Sequence, residues 1–128
     1  MGAANTPRTV LGAWRIVEMD LWDRESIELM GPAPMEFGGD DTGQFRFIAV
    51  EGSMDCRHEQ RDGSPYVGFS WEGDDDGEPA HGRGWATLAN NGSLHGHMYF
   101  HMGDDSAFRA VRADQRSGSD VGTARSRR

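Results

Sequence analysis

Residues 93–102, SLHGHMYFHM, set Leu94, Gly96, Met98, Phe100 and Met102 against His95, His97, Tyr99 and His101. A period of two belongs to a strand with one buried and one exposed face, and no helix presents it. The same alternation recurs along the chain. Val10, Gly12, Trp14 and Ile16 share a face in 9–22. Phe45, Phe47 and Ala49 oppose Gln44, Arg46 and Ile48 in 44–52. Met54, Cys56, His58 and Gln60 oppose Asp55, Arg57 and Glu59 in 53–61. Val67, Phe69 and Trp71 fall together in 66–73, as do Trp85, Thr87 and Ala89 in 82–90. With shorter runs at 34–37 and 106–112, eight strands are expected. Turn signals punctuate them: GGDDTG, DGSP, NNG and GDD. The exception is 23–31, where Asp23 can cap a helical turn that Gly31-Pro32 ends.

Eight short strands joined by tight turns suit an antiparallel meander. Closing such a meander on itself removes its exposed edges. The expected fold is a single-domain, all-β, eight-stranded up-and-down barrel over 9–112, with a flexible arm at 1–8 and a polar, disordered tail at 113–128. A barrel of that size either fills with side chains or holds one small ligand.

Composition narrows the function. The formal charge is −8, and all thirteen basic residues are Arg. A chain without Lys has no Schiff-base or general-base lysine. Excess acid argues against a nucleic-acid partner, which needs a basic face. Cys56 is the only cysteine, so no internal disulfide forms, and a reducing cytoplasmic setting is expected. No apolar run is long enough to span a membrane and no secretory signal is visible. Gly2 and Thr6 match the permissive myristoylation pattern. No sequence motif calls for a cofactor.

Four groups of residues carry candidate chemistry. Glu72, Asp74, Asp76 and Glu78 alternate in an acidic connection that Pro79 interrupts, with Arg83 placed to balance one carboxylate. That spacing is not a helix-flanked calcium loop, and a solvated hairpin loop explains it. His95 and His97 lie about 6.6 Å apart on one strand face, close enough to share a zinc ion. A third ligand would come from a neighbouring strand, where His58 and Glu72 are conceivable. His101 precedes GDD and could pair with Asp104 or Asp105 as an oriented base, with Tyr99 beside it. Finally, Phe47, Phe69, Trp71, Trp85 and Met98 would line an apolar cavity, with Arg46 or Tyr99 orienting a polar end of its ligand.

Gly12-Ala13-Trp14 resembles the G-x-W signature that opens lipocalin and wider calycin barrels. That resemblance implies a Trp14 plug at one barrel end with a late arginine, Arg109 or Arg112, packed on it. The blocks GAWRIVEMDLWD, FSWEG, GRGWA and HMGDDSAFRA are similar to those of a small, uncharacterised bacterial lipocalin-like family, over roughly residues 11–112. The resemblance implies the barrel and leaves activity open. The leading expectation is binding of a small, largely apolar molecule in the barrel. The alternatives are a barrel cyclase, such as a [4+2] cyclase acting on a polyketide-like chain by holding it in a reactive conformer, and an interaction module that forms a homodimer through a strand edge.

Overall fold

In a computed structural model that describes residues 9–113, eight strands close into one antiparallel barrel in chain order. They are β1 (Gly12–Met19), β2 (Ala33–Phe37), β3 (Thr42–Phe47), β4 (Val50–Arg61), β5 (Ser64–Asp75), β6 (Glu78–Leu88), β7 (Leu94–Phe100) and β8 (Asp105–Arg112). A four-residue helix, α1 (Arg24–Ile27), interrupts the β1–β2 connection. Asp23 caps it by accepting from Ser26 N–H at 2.8 Å, and that bond holds the Asp23 carboxyl below the usual range. The expected arm at 1–8, its Gly2/Thr6 pattern and the expected tail beyond residue 113 lie outside the described residues.

Closure comes from β1 pairing with β8, Trp14 opposite Arg112 and Met19 opposite Phe108. A bulge between Ile16 and Glu18 turns both Ile16 and Val17 into buried positions. At this end Trp14 is fully buried and its indole N–H donates to Val10 C=O at 2.8 Å. The Arg112 guanidinium lies 4.0 Å from the Trp14 ring centre and donates to the carbonyls of Leu11 and Thr9. Arg112 therefore takes the place expected of a late arginine. Arg109 faces outward and pairs with Glu18, whose carboxyl it holds below the usual range through their hydrogen bond and its charge.

Two strand boundaries differ from expectation. Residues 44–61 do not break after Gly52; the chain reverses at Ile48-Ala49, and β4 runs unbroken from Val50. The turn carries no Gly, Pro, Asn or Asp, and Ile48 itself takes a φ of 56°. Neighbours hold it there: Ile48 N–H donates to Ile27 C=O at 3.0 Å. The acidic connection is not a long loop either. β5 continues to Asp75, β6 begins at Glu78, and Asp76-Gly77 forms the turn, both with positive φ. That is the backbone of a two-residue type I′ hairpin, for which Asp-Gly is well suited.

The interior is filled by rings seated on small residues. A methyl group at Gly52 would strike Phe45 and Trp71, one at Gly84 would strike Phe69, and one at Gly96 would strike Phe108 and the Trp85 carbonyl. We expect Gly96→Ala to destabilise the barrel by about 1–3 kcal/mol through overpacking. Gly39→Ala, where a methyl meets nothing, should stay near neutral. Urea denaturation of the two variants beside the parent checks this; equal stabilities would contradict the seating of rings on glycines.

Candidate functional site

The meander places all hairpins at two ends. The Trp14 end carries the β2–β3, β4–β5 and β6–β7 turns. The opposite end, here the mouth, carries α1 and its flanking segments with the β3–β4, β5–β6 and β7–β8 turns. Rings run inward from the mouth. Trp22 packs on Phe47 at 5.6 Å between centres, Phe47 on Phe100 at 6.3 Å, Phe100 on Trp71 at 5.2 Å and Trp71 on Phe45 at 5.2 Å. Trp22, Ile48, Ala80 and Phe100 are only partly buried. The segments at this end also carry Leu21, Leu29, Met30 and Met102, all exposed, the last 94 % so. Among the described residues only Leu11, at the other end, is a large exposed apolar side chain away from the mouth. Met102 also has a φ of 56°, where Gly or Asn would fold more easily.

α1 sits across this mouth. Ile27 is its buried anchor, and the Ile27 carbonyl accepts from Ile48. Ser106 ties down the preceding segment: its hydroxyl accepts from Asp20 N–H at 3.0 Å and donates to Ala107 C=O.

Of the expected cavity lining, Phe47, Phe69, Trp71 and Met98 face inward and are buried. Phe47 and Trp71 belong to the mouth layer. Phe69 lies deeper against Phe37, at 6.2 Å. Three expectations are overturned. Trp85 faces outward and stacks on Tyr66, with centres 6.0 Å apart; the inward residues of β6 are Gly84, Ala86 and Leu88. Rings from β5 and β8 already occupy the volume a Trp85 side chain would need. Arg46 and Tyr99 also lie on the outer wall, opposite in phase to Phe45, Phe47, Met98 and Phe100, so neither orients a ligand inside the barrel. Trp71 N–H, by contrast, donates inside the wall to Tyr99 C=O at 3.1 Å.

The histidines are outside as well. His101 does not meet Asp105. Its ring stacks on His81, 4.5 Å between centres, while Asp105 holds His97 Nε2 at 2.5 Å. His97 also lies against Tyr99. His95 is engaged separately. Ser93 Oγ donates to Asn91 Oδ1 at 2.7 Å, so its 2.9 Å contact with His95 Nε2 has the imidazole as donor. That proton order leaves Ser93 without a base to activate it. His95 and His97 thus share a face but not a partner, and His58 is on the distant β4–β5 hairpin. No group of three or more His, Cys, Asp or Glu among the described residues is placed to hold a metal ion. The acids of the β5–β6 hairpin point into solvent, with Asp74 accepting from Gly77 N–H in the turn. Arg83 balances none of them; its guanidinium sits over the Tyr99 ring at 4.3 Å.

Within the wall, the described polar side chains that are buried are Ser93 and Ser106, besides the thiol of Cys56. No described carboxylate or imidazole is buried there, so acid–base chemistry has no agent inside the barrel. Cys56 is wholly buried, and burial, aided by the Asp55 and Asp41 charges, pushes its thiol up to about 11. At pH 8 only about a thousandth would be thiolate, the reactive form. The folded protein should react with an aromatic disulfide reagent at least about a hundredfold more slowly than the urea-unfolded chain. Equal rates would place the thiol in solvent.

No protein-family model matches the chain, and no curated protein matches it. No helix among the described residues is long and apolar enough to cross a membrane.

Proposed function

We propose that the protein binds a small, largely apolar molecule at the α1 mouth of the barrel. The observation that carries this reading is that exposed Leu21, Leu29, Met30 and Met102 and partly buried Trp22 and Phe100 all fall at one end of the barrel. Contiguous exposed apolar surface is costly in water unless something covers it. The rings inside leave the ligand to seat at the mouth, displacing Trp22 and Phe100 rather than filling the barrel's full length. Phe47 and Trp71 form the layer beneath it. Any catalysis at this mouth would rest on confinement of the bound molecule, because the floor offers no acid or base. Carriage of an apolar molecule within a cytoplasmic setting accords with the lone, inert Cys56. The sequence blocks that resemble a bacterial lipocalin-like family bear on the barrel and leave this role open.

N-phenyl-1-naphthylamine, an uncharged fluorophore, tests the mouth without engaging charged groups. Saturable enhancement of its emission is expected, with quenching of tryptophan emission. Trp22→Ala and Met102→Glu should each weaken it at least about fivefold, the scale of a lost apolar contact. Binding that is absent, or equally strong in both variants, would sink the proposal.

A further inference from the structure

On the outer wall, a groove of about 420 Å³ runs between the start of β6 and the end of β7, lined by His81, Gly82, Arg83, Tyr99, Phe100, His101 and Met102. It contains no carboxylate. Three other outer grooves each carry at least one: Glu36, Glu51, Glu72 and Asp74 in the first, Glu18 and Asp20 in the second, Asp55 and Glu72 in the third. On a chain with a formal charge of −8, a groove without acid is notable for its chemistry.

Its cation is oriented and unspent. Arg83 is exposed, and its guanidinium carbon lies over the Tyr99 ring, 4.3 Å from the ring centre. Among the described residues it makes neither an ion pair nor a hydrogen bond, unlike Arg24, Arg57, Arg61 and Arg109, which all hold carboxylates. A guanidinium that holds no carboxylate keeps its forked N–H donors for a planar or tetrahedral oxyanion. The two imidazoles beside it are positioned by backbone: His101 N–H donates to His81 C=O at 2.8 Å, and the rings stack at 24°. Neither ring has a hydrogen-bond partner among the described residues.

We propose that this groove is an oxyanion-binding site, taking the carboxylate or phosphate group of a small molecule, with Arg83 supplying the charge and His81 and His101 the N–H donors. The groups that face them are Glu72 on β5, in register with His81, Arg83 and Tyr99 on the adjoining strands, and Asp104 and Asp105 beyond the β7–β8 turn, Asp105 being occupied by His97. The site differs from the apolar mouth in its chemistry, while Phe100 and Met102 border both.

Inorganic phosphate and acetate, titrated separately at constant ionic strength, distinguish the two anion classes. Imidazole and guanidinium nitrogen shifts in NMR give the readout. Saturable shifts are expected at His81, His101 and Arg83 with at least one of the two anions, and not at His58 on the β4–β5 hairpin. Arg83→Gln should weaken binding about tenfold or more, the loss of a charge-assisted pair, with an unchanged near-ultraviolet circular dichroism spectrum. Shifts that are linear in both anions, or shared equally by His58, would overturn the proposal. So would Arg83→Gln binding as tightly as the parent. Neutral-probe binding at the mouth surviving in Arg83→Gln separates failure of this site from failure of the mouth.

Discussion

Seating aromatic rings on glycine is the constraint from which the rest of this barrel follows. A barrel of eight strands has little interior width. Phe45, Phe69, Phe108 and Trp71 fit inside it because the facing positions are Gly52, Gly84 and Gly96, which let a ring lie directly on backbone. The large side chains of β5 and β8 thereby decide what β6 and β7 can point inward. The described interior holds no buried carboxylate or imidazole, the Cys56 thiol being its titratable group, and chemistry is displaced to the rim and the outer wall.

That displacement explains which parts of the molecule could be read from the sequence. Alternation located the strands and gave the facing of β5 correctly, because Phe69 and Trp71 sit in phase with Val67; on β7 it left the facing open, and Leu94, Gly96 and Met98 take the inward phase. It misled on β6. There the bulkier residues, Trp85 and Thr87, are outside, and the inward phase is carried by Gly84, Ala86 and Leu88. Hydrophobicity alone does not reveal that a neighbouring strand has already filled the space. The Ile48-Ala49 reversal escaped because it uses none of the usual turn residues. Its trace in the sequence is a slip of phase: inward positions run Phe45, Phe47, then Val50 and Gly52. Arg46 and Tyr99 were on the polar phase of their strands throughout, which is incompatible with a role inside.

The candidate sites were less legible than the fold, for a related reason. Leu21, Leu29, Met30 and Met102 are scattered over more than eighty positions, and only the meander brings them to one end. His81 lies on β6 and His101 follows the end of β7, and their stacking depends on the β6–β7 register. His97 was the histidine that gained a carboxylate, because Asp105 lies across from Tyr99, within reach of the His97 ring. Spacing along one strand predicts which side chains share a face. Partners across strands follow from register, which a turn shifted by a few residues is enough to change.

The closing pair has a consequence of its own. β1 begins and β8 ends on the same rim, side by side, with Ala113 N–H bonded to Ala13 C=O. Every other neighbouring pair of strands is also a sequence neighbour. The wall is therefore a ring in connectivity as well as in space, and which strand comes first is an accident of where the chain is cut. Gene rearrangements that join residues near 11 and 113 and open a hairpin elsewhere would conserve each strand pair. Such a barrel can be re-ordered over evolutionary time while its mouth, its plug and its outer groove keep the same neighbours.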